Sequence, residues 1–86
     1  MLSVKVLGPG CARCAKLYTE AEKAVASSGV EVELTKVHDI AEIAEYGVAM
    51  TPALVIAEEV KSSGRIPRVA DMVSWITAAA AEAVDG

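Results

Sequence analysis

Cys11 and Cys14 are the only two cysteines in a chain of 86 residues, and two residues separate them. Thiols at this spacing support two kinds of chemistry. One thiolate can attack a disulfide while the other resolves the mixed disulfide that forms, or the pair can hold a soft metal ion such as Cu(I). Placement sharpens the reading. An apolar, strand-like segment, Leu2 to Leu7, runs up to the pair, and a stretch with helical periodicity follows it. A thiol where a strand hands over to a helix meets N–H groups that lack intrahelical partners and the positive end of the helix dipole, which favour the thiolate. Cys11, at the helix start, is the candidate nucleophile. Cys14, one turn further on the same face, is the candidate resolving thiol. Gly8, Pro9 and Gly10 make a sharp turn with little bulk over the first sulfur, and Arg13 and Lys16 add positive charge.

The elements that must hold this pair can be read from periodicity. Leu2, Val4 and Val6 alternate with Ser3 and Lys5, a strand with one apolar face. Cys14, Leu17, Tyr18, Ala21, Ala24 and Val25 recur at helical spacing, and Ser27-Ser28-Gly29 ends that helix. Val30, Val32 and Leu34 alternate in a second strand, placed at an edge. Asp39 with Glu42 has the form of a capping box, opening a short helix with Ile40, Ile43 and Ala44 inward and Gly47 at its end. Ala53 to Ala57 is a continuous apolar run, hence a buried strand, with Val60 to Gly64 as its more polar partner and the turn at Glu58-Glu59. A last helix starts near Pro67, with Asp71 favourable in its first turn. Val69, Met72, Val73, Ile76, Ala79, Ala80 and Ala83 form its inward stripe. The order β-α-β-α-β-β-α over residues 1–86, with no linker or repeat, predicts one α/β domain in which the first β-α-β unit is parallel and the late hairpin antiparallel.

Composition narrows the function classes. A hydrophobic fraction of 53% argues for a packed core, and a net charge of −4 argues against nucleic acid, which needs a basic surface. The most apolar stretch, Met72 to Val84, is too short and too interrupted to span a bilayer. No leader pattern precedes Leu2, so a reducing cytoplasm is the expected location, where a Cys pair is redox-active or metal-binding rather than a structural staple.

Taken together, Gly8-Pro9-Gly10-Cys11-Ala12-Arg13-Cys14, Met50-Thr51-Pro52 ahead of the third strand, and Gly64-Arg65-Ile66-Pro67 ahead of the last helix resemble the thioredoxin/glutaredoxin superfamily in its smallest form. The closest likeness is to the compact, glutaredoxin-sized redox-active disulfide proteins of archaea and anaerobic bacteria, and it covers essentially the whole chain. The resemblance implies a thioredoxin-like fold, a mixed four-stranded sheet with helices on both faces. It also implies a cis Thr51–Pro52 bond beside the cysteines, with Thr51 and Pro52 contacting substrate. Implied too is dithiol–disulfide exchange through a redox-active Cys11–Cys14 couple, acting as a monomer on disulfide-containing proteins. No organic cofactor is expected, and recycling would fall to a thioredoxin-reductase-like or ferredoxin-linked reductase.

The chain also departs from its larger relatives. Those have Trp before the first cysteine and Gly-Pro between the two, where this chain has Gly10 and Ala12-Arg13. Where they bury an acid six residues before the first cysteine, this chain has Lys5. Strand parity sets Lys5 opposite the Leu2-Val4-Val6 face. Its ammonium either bends to solvent past the second helix or approaches Cys14 and favours the thiolates. The Gly-Gly turn and glutathione-binding Asp of glutaredoxins are replaced by Glu58-Glu59 and Arg68, so the likeness does not extend to a glutathione site. His38 reads as a solvated loop residue, Tyr18 and Trp75 as packing residues, and Met50 as either core or an apolar rim of the site. Two alternatives stand beside the oxidoreductase: a metal-binding module of copper-chaperone type, and a thioredoxin-fold adaptor without catalysis. Copper-chaperone domains turn straight from their second strand into a third, whereas here a helix and Thr51-Pro52 intervene. A zinc site would need further ligands, for which only His38 is available.

Overall fold

The alternation of Leu2, Val4 and Val6 with Ser3 and Lys5 produces β1 (Leu2–Leu7), an inner strand flanked on both sides. The computed structural model describes residues 1–10 and 12–85, the last three by backbone alone. On one side β1 pairs in parallel with β2 (Val32–Val37), from Leu2 opposite Val32 to Leu7 opposite Val37. On the other it pairs antiparallel with β3 (Ala53–Ile56), which in turn pairs antiparallel with β4 (Glu59–Ser63). Two parallel neighbours need a crossover, and α1 (Ala12–Ser28) supplies it. The short α2 (Ile40–Glu45) and the long α3 (Val69–Asp85) complete the order β-α-β-α-β-β-α and the sheet order β2-β1-β3-β4.

Side-chain alternation divides the core between the two sheet faces. Val4, Val6, Leu54 and Ile56 are buried against Leu17, Ala21 and Ala24 of α1 and Met72 and Ile76 of α3. Each large apolar side chain buried there contributes about 1.5–3 kcal/mol, so this face carries most of the burial. The opposite face is smaller: Leu7, Val37, Ala53 and Val55 pack on Ile43 of α2, with Tyr46 and Val48 at the edge. The fold is the thioredoxin-like mixed sheet with helices on both faces.

Several boundaries differ from the sequence reading. β2 begins at Val32, and Val30 lies before it with its N–H donating to the Ser28 hydroxyl at 3.2 Å. Asp39 does cap α2, its carboxylate accepting from the Ala41 N–H at 2.8 Å. Ile40, expected inward, is 73% exposed, and Ala44 is exposed as well. A six-residue helix has fewer than two turns, so little beyond Ile43 can face the sheet. α3 starts at Val69 because the Arg68 carbonyl accepts the first helical bonds, from Asp71 and Met72, which leaves Pro67 just outside. The inward stripe of α3 narrows to Met72 and Ile76 with partly buried flanks, and the Ala83 side chain lies outside the described residues.

The hairpin turn falls one residue earlier than expected, on Ala57 and Glu58, with φ of 52° and 65°. Positive φ at both central residues is the two-residue turn whose twist suits a hairpin, and it favours Asn and Gly rather than these residues. Glu58 is held there by a three-way contact. Lys5 Nζ donates to Glu58 Oε2 at 2.8 Å and to the Tyr46 hydroxyl at 2.7 Å, and that hydroxyl donates to Glu58 Oε1 at 2.7 Å. One cluster thus ties β1, the end of α2 and the β3–β4 turn. The bond from Lys5, then that from Tyr46, holds the Glu58 carboxyl below its ordinary range; the Glu58 bond, then the Tyr46 bond, raises the Lys5 ammonium.

The handover from β1 to α1 is tight. The Gly8 N–H donates to the Val37 carbonyl at 3.0 Å, continuing the β1–β2 ladder by one residue. A Cβ at Gly8 would run into the sulfur and Cβ of Cys14.

Three outcomes follow from this packing. Gly8→Ala should lower unfolding free energy by about 1–3 kcal/mol in urea titration, because overpacking displaces Cys14 or the loop; an unchanged midpoint would refute the close packing. Ala57→Gly should raise stability by about 0.5–1 kcal/mol, through relief of the positive φ. The Glu58 contribution is present above the ordinary carboxylate value and lost as pH falls through the lowered one. Glu58→Gln should therefore be less stable than the parent at neutral pH, with the gap closing below about pH 4. The matching contribution of Lys5 persists below the ordinary lysine value and is lost only as pH rises through the raised one, above about pH 10. A gap independent of pH between 2 and 7 would show that the ion pair adds nothing.

Candidate active site

The turn between β1 and α1 is built from residues that leave space. Gly10 has φ +101°, a conformation that side-chain-bearing residues rarely adopt, while Pro9 and Gly10 are both exposed. α1 begins at Ala12, which makes Cys14 its third residue. Cys11 lies outside the described residues. Cys14 is 6% exposed, with its sulfur seated in the space that Gly8 leaves. First-turn amides and the helix dipole favour its thiolate, and burial opposes it.

The Thr51–Pro52 peptide bond is cis. Pro52 is fully buried, Thr51 half-buried, and Met50 62% exposed, which places Met50 at an apolar rim and not in the core. This loop is joined to the first turn of α1 by two hydrogen bonds in series. The Gly64 N–H donates to the Pro52 carbonyl at 2.9 Å, and Arg13 Nη2 donates to the Gly64 carbonyl at 3.0 Å. Gly64 has φ +73°, and the Met50 side chain lies 3.0–3.4 Å from where its Cβ would stand. Arg13, expected from its position as a nearby charge, is therefore also a structural tie between the Cys14 turn and the proline loop. In the sequence Gly64 stands at the end of a strand and opens the Gly64-Arg65-Ile66-Pro67 segment, and neither position reveals this tie.

A pocket of about 160 Å³ opens beside the buried thiol, walled by Val6, Gly8, Gly10, Cys14, Lys36 and His38. His38, read from the sequence as a solvated loop residue, is exposed but also contributes to this wall. Strand register explains its position: Leu7 lies opposite Val37, so the residue after Val37 arrives beside the Gly8 turn. Lys36 Nζ sits 4.5 Å from the centre of the Tyr18 ring, an arrangement in which the ring face attracts the cation. Lys5, grouped with the cysteines by alignment, does not line this pocket. Its ammonium is engaged by Tyr46 and Glu58 on the α2 face of the sheet, while Cys14 belongs to the α1 face.

Among the described residues, no three His, Cys, Asp or Glu side chains converge as a metal site, and no helix is long and apolar enough to cross a membrane. A buried thiol in a first helical turn, a cis-proline loop tied to that turn, and a pocket opening on the sulfur are suited to thiol–disulfide exchange.

Comparison with known proteins agrees with this geometry. A family model described as a thioredoxin domain matches residues 2–77. The thioredoxin of Methanocaldococcus jannaschii is 35% identical over 72 residues, covering 84% of this chain and 83% of that protein. The thioredoxin of Methanothermobacter thermautotrophicus is 33% identical over 66 residues, covering 77% of this chain and 86% of its own length. With the sheet order, the buried Cys14 turn and a matching domain model over most of its length, the chain belongs to the thioredoxin family.

Proposed function

We propose that the chain is a dithiol–disulfide oxidoreductase that reduces disulfides in partner proteins. The observation that carries this reading is the setting of Cys14: buried, in the first turn of α1, with its sulfur against Gly8 and facing a pocket. Cys11 is the nucleophile. Its thiolate attacks a substrate disulfide, one substrate sulfur leaves as a thiolate, and a mixed disulfide remains. Cys14 then attacks the Cys11 sulfur and releases the second substrate thiolate. Two electrons pass from the dithiol to the substrate, and the Cys11–Cys14 disulfide that results is the redox-active group, with no organic cofactor. Substrate lies along Met50, Thr51 and Pro52, whose loop is fixed to the cysteine turn through Gly64 and Arg13. Gly8 and Gly10 add no side chain to the wall of the pocket beside Cys14.

The two named relatives support a redox role, and a cytoplasmic monomer recycled by a thioredoxin-reductase-like or ferredoxin-linked enzyme is the setting we infer. The copper-chaperone alternative has less support, because α2 and the Thr51–Pro52 loop stand between β2 and β3 where such domains turn directly into a third strand.

The test is a pair of cysteine variants in the presence of a reducible protein disulfide such as insulin. Cys14→Ser should accumulate a covalent mixed disulfide visible by intact-mass spectrometry, with turnover lost. Cys11→Ser should form no such adduct and show no turnover. Adducts formed equally by both variants would reverse or abolish the assigned roles.

A further inference from the structure

Charge is divided unevenly along the chain. The net charge is −4, yet none of the 12 Asp and Glu residues falls in residues 1–19, 46–57 or 60–70. Those stretches supply the cysteine turn, the proline loop and the approach to α3, and they carry Arg13, Lys16, Arg65 and Arg68. The tertiary structure brings three of these cations to one rim. Arg13 Nη2 lies 3.0 Å from the Gly64 carbonyl, and Arg65 directly follows Gly64. Arg13 and Lys16 are three positions apart in α1, so their side chains leave the same helix face. All three are exposed. Other cations are matched with carboxylates: Lys5 with Glu58, Lys23 with Glu20, Lys61 with Glu59 and Arg68 with Asp71. Among the described residues no carboxylate pairs with Arg13, Lys16 or Arg65. Met50 adjoins them, 62% exposed and packed against Gly64.

We propose that this rim selects partner proteins whose disulfide is flanked by acidic residues, which rests on the dithiol reading above and names its substrate class. The docked segment sets its carboxylates against Arg13, Lys16 and Arg65 and an apolar side chain against Met50. A guanidinium has five N–H donors in a fork that matches a carboxylate. Arg13 uses Nη2 on the Gly64 carbonyl, so it holds the loop and still has donors for a partner. The net negative charge of the chain does not cancel this attraction. Exposed charges more than a Debye length apart, about 10 Å at 0.1 M salt, are largely screened, and the molecule extends 32 × 24 × 16 Å. The cations at the rim therefore dominate what a segment docked there meets. Glu42, Glu45 and Glu58 face a separate cleft beside Tyr46. An acidic segment is repelled from that cleft and attracted to the rim, which orients the encounter.

The test uses two peptides with the same internal disulfide and an adjoining Leu, one flanked by Glu and the other by Gln. Each is mixed with the pre-reduced protein, and its reduction is followed by acid quench and mass spectrometry. Each rate is divided by that of dithiothreitol with the same peptide, which removes the peptide's own reactivity. At about 0.05 M salt the Glu peptide should be reduced about tenfold faster than the Gln peptide, the scale of steering by a local charged patch. The ratio should fall toward one at about 0.5 M salt, where the charges are screened. The ratio is the readout because a change in folding or in the thiolates alters both peptides alike. Lys16→Gln combined with Arg65→Gln should bring it toward one at low salt, and Lys16→Glu combined with Arg65→Glu should invert it. Equal rates for the two peptides with the parent at low salt would overturn the proposal. A parental ratio in the paired Gln variant would also overturn it, since the selective charge would then lie elsewhere. Failure of the parent to reduce either peptide would bring down the dithiol reading itself, and the proposal with it.

Discussion

The seating of the Cys14 sulfur in the space left by Gly8 sets the geometry on which the rest of the site depends. It fixes how closely the first turn of α1 approaches the end of β1. Gly8 is itself fixed from the other side, because its N–H extends the parallel ladder to the Val37 carbonyl. One residue thus joins three elements, and its missing side chain is the reason they can meet. The parallel register that delivers Val37 to Gly8 also delivers His38 to the wall of the pocket. A shift of one residue in that pairing would turn the inward set of β2 outward and carry His38 away.

A second constraint works from the opposite side of the cysteine turn. Arg13 reaches across to the Gly64 carbonyl, and Gly64 reaches to the Pro52 carbonyl, so α1, the approach to α3 and the proline loop hold one relative position. The tie consists of two hydrogen bonds, the one from Arg13 exposed, each worth on the order of 1 kcal/mol net. Its value lies in alignment: the Met50–Pro52 rim and the turn that leads into Cys14 move together. Met50, exposed beside Gly64, gives that rim an apolar surface.

The two faces of the sheet divide the work. The α1–α3 face holds most of the buried apolar surface and Cys14, while the α2 face is thinner and closes with the Lys5–Tyr46–Glu58 cluster. Lys5 shows what alternation along a strand does to a charge. Lying between Val4 and Val6, it is directed to the face away from Cys14, and its partners there are a tyrosine and a carboxylate. Glu58 holds its position in a turn that its own backbone disfavours, and its side chain is fixed there by Lys5 and Tyr46.

Local chemistry made much of this legible in the residues alone. Hydrophobic alternation marked β1, a continuous apolar run marked β3, helical spacing marked α1 and α3, and Asp39 marked the start of α2, because each signal lies within a few residues of the element it specifies. The cysteine spacing, the glycines before it and Thr51-Pro52 stand out in the sequence for the same reason. What the sequence left undecided depends on contacts between distant segments. The inward face of α2 was misjudged at Ile40 and Ala44, since a short helix meets the sheet along a line that only packing selects. The partners of Lys5 lie 41 and 53 residues away, and Arg13 meets Gly64 across 51, so no local pattern could name them. His38 looked like an ordinary loop residue because nothing in its neighbours reveals that a parallel strand will bring it to Gly8. Residue types and spacing point to the chemistry proposed for the chain; the register of β1 against β2 decided which side chains of β2 stand near Cys14.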